Sequence, residues 1–296
     1  MRRPHFRWLI PLVAVTLAAC LLAAIPPTPA AGVSVVLVGA GDIASCGSSG
    51  DTATAALVKG ISGTVFTAGD NVYDDGSATE YAECYHPTWG AFRDRTRPSP
   101  GNHDYHVDGA AGYFGYFGSR AGNPSRGYYA YNLGNWRIYA LNSNCGEIGG
   151  CAWDSPQTRW LRADLAGHPH RCVLAYWHHP LFSSGPHGNQ PQVRPLWRAL
   201  YRARAEIVIN GHDHLYERFR RQSPRGVATS AGIQEFIVGT GGRSHYGFET
   251  IKANSRSRNA TTYGVLKLTL RRGEYSWRFV PVAGKTFTDR GTRSCH

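Results

Sequence analysis

The sequence predicts an α/β fold, with one mixed β-sheet or two packed sheets and helices outside. Three observations carry that expectation. Apolar strand-like runs alternate with helical stretches through the middle of the chain. Residues 128–141 and 263–280 read as antiparallel pairs around glycine turns. The chain has 296 residues, 42% hydrophobic and 12% aromatic, enough to bury a large core. Charged residues are only 18%, which argues against long disordered tails.

The elements follow in chain order. Residues 33–38 (VSVVLV) form a continuous apolar run, as a buried strand does. Residues 51–59 (DTATAALVK) read as a short helix capped by Asp51 and closed by Gly60. Strand 64–68 follows. Residues 128–131 and 137–141 pair around Gly134-Asn135. Ser155-Pro156 opens a helix through Leu165, with proline in its first turn. Residues 172–177 are a strand. From 191 to 204, Val193, Leu196, Trp197, Leu200 and Tyr201 recur at helical spacing, an amphipathic helix. Strands 207–209 and 236–238 follow, then a hairpin of 263–270 and 275–280 around Arg272-Gly273.

Residues 1–31 are set apart as a signal peptide or N-terminal anchor, leaving 32–296 as the catalytic domain. MRRPHFR is basic, the next 18 residues are apolar, and PPTPAAG offers cleavage near Ala30 or Ala31. Leu17-Ala18-Ala19-Cys20 also matches a lipoprotein box, and the run is just long enough for a retained anchor. The expected location is secreted or extracytoplasmic, lipid-anchored if Cys20 is modified, with no membrane span in the mature form unless the N-terminus is kept. Six further cysteines, an even number in an exported chain, suggest disulfides. Cys145 and Cys151 enclose a glycine-rich loop and form the first expected pair. Pairing of Cys46, Cys84, Cys172 and Cys295 stays open. The formal charge of +12, with a cluster at 194–204 (RPLWRALYRAR), predicts attraction for polyanions without specific nucleic-acid recognition.

The chemistry sits where strands end. Gly41-Asp42 follows the first strand, and Gly69-Asp70-Asn71-Val72-Tyr73 the second. Gly101-Asn102-His103-Asp104 comes next, then His178-His179, then Gly211-His212-Asp213-His214. In open α/β sheets such loops gather at one edge. His212 and His214, two apart, point the same way in an extended segment. With Asp42, Asp70 and Asn102 they make a set of oxygen and imidazole ligands that suits zinc, iron or manganese.

In this order the motifs GD, GDxxY, GNH[DE], a histidine after a strand, and GHxH resemble the calcineurin-like metallophosphoesterase superfamily. The tail LYER after the last motif is similar to its purple acid phosphatase branch. The resemblance covers residues 33 to 282. It implies a four-layer αββα sandwich of two packed mixed sheets flanked by helices. It implies two metal ions, Fe(III) with a divalent Fe, Zn or Mn. Asp42, Asp70, Tyr73 and His214 would hold the first; Asp70, Asn102, His178 and His212 the second, with Asp70 shared. Most relatives place a histidine at the position of Ala44, and Tyr73 supplies the replacement. The branch commonly has GDxG where this chain has GDIA.

The resemblance further implies a phosphate-ester hydrolase using a metal-activated hydroxide. His103 is the candidate proton donor to the leaving group, with Asp104 orienting it, and His179 contacts phosphate or leaving group. The first reading is an exported phosphomonoesterase of acid phosphatase type. A phosphodiesterase or nucleotidase with the same site is the alternative, and a non-catalytic cell-surface binding protein the third. Arg243, His245, Tyr246, Tyr105, His106, His86 and His187 are candidates for a pocket lip, and Glu217 for a local ion pair.

Overall fold

The strand Val35–Ala40 pairs in parallel with Thr64–Ala68, and that strand in parallel with Thr96–Ser99. On its other side it runs antiparallel to Gly264–Arg271, which continues through Glu274–Pro281 to Arg290–Ser294. These six strands form one mixed sheet. The second sheet has seven strands, in the order Ser255–Asn259, Tyr216–Phe219, Gln234–Val238, Ile207–Asn210, Cys172–Tyr176, Trp136–Ala140 and Tyr129–Leu133. Its centre is parallel and its flanks antiparallel. The structure, a computed structural model, describes residues 34–169 and 172–296, with 1, 2, 4, 5 and 8 ahead of them.

Side-chain alternation sorts the layers. Leu174 and Tyr176 belong to the core shared with Leu37, Phe66 and Phe236, and the Phe66 and Tyr176 rings lie 5.6 Å apart, between the sheets. Val173 and Ala175, on the opposite face, pack with Leu161 of the helix Pro156–Gly167 and Leu196, Trp197 and Leu200 of the helix Arg194–Arg202. The helix Gly50–Lys59 lies against the first sheet. The layers are therefore helix, sheet, sheet, helix, as the sequence predicts. The chain divides into two compact units, Met1–Gly32 and Val33–His296, and the second carries both sheets.

Several boundaries differ from expectation. The first strand runs to Ala40 because Gly39 and Ala40 still pair with Phe66 and Thr67. Asp51 is not the cap of its helix. It lies inside the first turn, where its Oδ2 accepts from the Thr88 hydroxyl at 3.1 Å. The strands Thr96–Ser99, Ser255–Asn259 and Arg290–Ser294 had no apolar alternation to announce them.

Three disulfides join Cys46 to Cys84, Cys145 to Cys151 and Cys172 to Cys295. The expected Cys145–Cys151 pair is among them. The apolar run assigned to a leader or anchor, with Cys20, lies outside the described residues. No helix among the described residues is long and apolar enough to cross a membrane.

Candidate metal centre

The parallel strands of both sheets end at one edge, and their loops are tied together there. Gly41 N–H donates to Val238 O of the opposite sheet at 2.9 Å, and Asp42 N–H to Gly69 O at 3.1 Å. Gly211 N–H donates to His178 O at 3.0 Å. Asp42 (φ 60°), Asp70 (φ 49°) and His212 (φ 74°) all adopt left-handed backbone conformations. Such conformations cost energy in non-glycine residues and persist where the surroundings enforce them, often at functional sites. Two glycines make room for the carboxylates. A Cβ on Gly101 would stand 2.0 Å from Asp70 Oδ1, and one on Gly211 2.5 Å from Asp42 Oδ2.

Tyr73 stands at the middle of the cluster. Its hydroxyl lies 2.8 Å from Asp42 Oδ1, 2.9 Å from Asp70 Oδ2 and 3.2 Å from His214 Nε2. One O–H can serve only one of these three acceptors. His214 Nε2 is also 3.3 Å from Asp42 Oδ1, while its Nδ1 meets the Ser244 hydroxyl at 2.7 Å. His178 Nδ1 meets Ala68 O at 2.9 Å, so Nδ1 carries the proton and Nε2 faces inward. That Nε2 lies 3.2 Å from Asp70 Oδ2 and 3.1 Å from His212 Nδ1. The side-chain oxygen of Asn102 is buried without any hydrogen-bond partner. Among the described residues, Asp42, Asp70 and His178 offer atoms mutually within 4.8 Å, as do His178, His179 and His212.

The electrostatics of this cluster ask for cations. Burial, then the Asp42 and Asp70 charges, pushes the Tyr73 phenol well above its usual range. Burial alone would lower His178, but the Asp70 carboxylate outweighs it and raises the imidazole to about 9. Burial and the neighbouring His178 and His179 push His212 down. A phenol crowded by two carboxylates, imidazoles with one nitrogen tied back, and an orphaned amide oxygen form a donor set that fits two metal ions.

Around the cluster the predicted catalytic residues separate. His103 N–H donates to Asp70 Oδ1 at 2.9 Å, and its Nδ1 meets Asp74 O at 2.5 Å. His179 Nδ1 meets the Ser143 hydroxyl at 2.8 Å, and its ring centroid is 4.4 Å from that of His212. Burial, then His178, lowers His179 to about 3. The Asp104 carboxylate makes its hydrogen bonds away from the His103 ring. The turn His103–Tyr105 directs the Asp104 carboxylate back into the protein. There Oδ1 accepts from Tyr81 at 2.6 Å, and Oδ2 from Gly101 N–H at 2.8 Å and Asn71 Nδ2 at 3.0 Å. It holds the loop that presents Asn102 and His103.

Some neighbours were underweighted in the sequence. His187 Nδ1 meets the buried Asp213 Oδ1 at 2.9 Å, and its ring lies 4.2 Å from that of His212. The Tyr246 ring stacks on His214 at 4.0 Å, and Arg243 lies over Tyr73 at 5.0 Å while pairing with Asp74. Their partners are remote in sequence, so only the order of the loops in space reveals them. Among the other lip candidates, Tyr105 and His106 line a cavity of about 400 Å³ beside the cluster, with Ser143, Asn144, His179 and Gln192. His86 meets Tyr116, and His245 stacks on Tyr263. Glu217 is held by the hydroxyls of Ser184 and Ser255 rather than by an ion pair.

Comparison with known proteins places the chain in one family. The profile of the calcineurin-like phosphoesterase family matches residues 21–216. Purple acid phosphatase 15 of Arabidopsis thaliana is 29% identical over 167 residues, 48% of this chain and 30% of the relative. Purple acid phosphatase 22 of the same plant is 32% identical over 95 residues, 30% of this chain and 22% of the relative. The matched segments thus span less than a third of either relative. Among solved structures, a purple acid phosphatase from yellow lupin (Lupinus luteus) seeds superposes with a TM-score of 0.69 at 19% identity, covering 90% of this chain and 55% of that one. GAP50, the anchor in the inner membrane complex of Plasmodium, superposes at 0.63 and 13% identity, covering 87% and 88%. These two likenesses concern the fold.

Proposed function

The chain belongs to the calcineurin-like phosphoesterase family, and we propose that it is an exported phosphatase hydrolysing phosphate monoesters at a dinuclear metal site. The observation that carries the reading is Tyr73, whose hydroxyl faces Asp42, Asp70 and His214 together. Asp42, Asp70, Tyr73 and His214 would hold one ion, and Asp70, Asn102, His178 and His212 the other. A phenolate among carboxylates favours a trivalent ion in the first position, with a divalent partner in the second. When bound, such a pair supplies Lewis acidity toward phosphoryl oxygens and lowers the pKa of coordinated water.

The chain's own residues do the rest. His103 keeps Nδ1 on the Asp74 carbonyl, so Nε2 is the nitrogen that takes up and delivers a proton to the leaving alkoxide. His179, held neutral by burial and positioned by Ser143, presents its ring toward the phosphate or the leaving group. Asp104 acts through the loop, fixing where Asn102 and His103 stand. Export is supported by the basic and apolar N-terminal sequence and by three disulfides. On this reading residues 1–31 are the leader and 32–296 the catalytic domain.

Phosphodiester hydrolysis at the same site is the second reading. The cavity of about 400 Å³ beyond His179 favours it, because it can take a second ester substituent. Turnover of a chromogenic phosphate monoester beside its bis-ester counterpart, on metal-analysed protein, decides between the two. Fully metal-loaded protein that turns over neither ester would sink both.

A further inference from the structure

Five exposed arginines lie together outside the catalytic cluster. The guanidinium carbons of Arg162, Arg198 and Arg202 sit 4.3, 4.9 and 4.8 Å from the centroid of the Trp153 ring. Arg194, Arg198 and Arg202 also line a cavity of about 560 Å³ with Tyr201 and Arg225. Arg202 borders a second cavity, of about 320 Å³, with Trp153 and Arg162. Arg202 lines both, and we treat the two together as one trough. Among the described residues the arginines that meet a carboxylate within 4.0 Å are others: Arg120, Arg137, Arg218, Arg221, Arg243 and Arg271. Three cations converging on one indole without a counter-ion repel each other, and a bound polyanion relieves that repulsion.

Short stretches of chain link this surface to the catalytic side. Gln192 and Cys145 line the cavity beside His179. Arg194 follows Gln192 by two residues, and Trp153 follows Cys151, the disulfide partner of Cys145, by two. Arg194, Arg198 and Arg202 recur every four residues of one helix, a rise of about 6 Å each. That ladder suits charges spaced along an extended polynucleotide backbone. Inorganic polyphosphate packs its charges more closely. Tyr201, half-buried against the core, lines the same cavity, and an aromatic side chain there can stack with a base.

The geometry points to a docking trough for single-stranded polynucleotide, gripped through backbone phosphates without base readout, that leads the strand's terminal phosphate to the catalytic cluster. This rests on the phosphatase reading. In the reaction, water adds to phosphorus and the bond to the terminal sugar oxygen breaks. That oxygen takes a proton, leaving a hydroxyl-ended strand and inorganic phosphate.

The test is fluorescence anisotropy with 5′-phosphorylated, 3′-labelled oligothymidylate of about twelve nucleotides, titrated at several salt concentrations. Affinity should fall with a log–log slope of about −0.7 per phosphate held. Arg198→Gln/Arg202→Gln should flatten that slope by about 1.4 and weaken binding at least tenfold. It should raise KM for the phosphorylated strand by a similar factor, with kcat, and KM for thymidine 5′-monophosphate, unchanged. Arg194→Gln/Arg225→Gln repeats the test should the first pair fail to fold. Binding equal to wild type in a folded variant overturns the proposal. So does better displacement by polyphosphate or duplex DNA, at equal phosphate concentration, than by unlabelled oligothymidylate. Hydrolysis of the mononucleotide but never of the bound strand overturns the delivery step. Arginine-dependent strand binding without turnover of any ester supports the trough and sinks the hydrolase reading instead.

Discussion

The Tyr73 hydroxyl lies 2.8 Å from Asp42 Oδ1, across 31 residues of chain. The phenol is pushed well above its usual range, first by burial and then by the two carboxylates it faces. Tyr73→Phe should therefore act through metal occupancy rather than folding. Wild-type protein should carry iron with a second metal and a phenolate charge-transfer band in the visible spectrum. The variant should lose the band and hold the first metal at least tenfold more weakly. Elemental analysis with the spectrum reads both, and a variant as coloured as wild type contradicts the assignment.

His103→Ala should depend on the leaving group. With its Nδ1 engaged by Asp74 O, the imidazole has one nitrogen for proton delivery. Loss of a general acid costs about 10²–10⁴-fold when the leaving alkoxide is basic. It costs little when the leaving group is a stable phenolate. Comparing kcat on an alkyl phosphate and on a nitrophenyl phosphate exposes the difference. An equal drop on both would assign His103 to positioning.

The candidate loops were legible in the sequence because each is local. A glycine, a short polar motif and an apolar strand before it mark Asp42, Asp70 and His212, and the close approaches at Gly101 and Gly211 explain the glycines. What was not legible depends on distant partners. Ser143 meets His179 across 36 residues, and His187 meets Asp213 across 26. The partners of Asp104 were hidden for a related reason. Adjacent to His103 in sequence, Asp104 suggests a dyad, yet the tight turn sends its carboxylate to Gly101, Asn71 and Tyr81. The strand Arg290–Ser294 escaped because an exposed edge needs no apolar residues to pair with its neighbour.

Asp104 also makes the metal-free protein pH-sensitive. Burial, then the Asp70 charge, raises its carboxyl to about 6 from 3.8. The folded state therefore binds the proton more tightly than the unfolded chain. Its contribution is full below about pH 4 and is lost as pH rises through 6, a change of about 3 kcal/mol at most. Asp104→Asn removes that titration and turns an amide N–H₂ against donors, costing about 1–3 kcal/mol. Urea denaturation of chelated protein from pH 4 to 7 should show a flatter dependence for the variant. Equal slopes would mean that Asp104 titrates normally.

The Cys172–Cys295 disulfide ties an inner strand of the second sheet to the chain end beyond the first sheet's edge strand. It spans 123 residues, so it removes much of the freedom of the unfolded chain. For a loop of that length the entropic stabilisation is about 4–5 kcal/mol. By the same relation the six-residue Cys145–Cys151 loop contributes about 2 kcal/mol. Cys172→Ala/Cys295→Ala should thus lower the urea midpoint more than Cys145→Ala/Cys151→Ala. Activity should rank the other way, because Cys145 lines the cavity beside His179 whereas Cys172 is buried in the core between the sheets. Midpoints and KM values on the two double variants test this inversion directly. Both effects falling on the same pair would show that the Cys145–Cys151 loop does not shape the cavity.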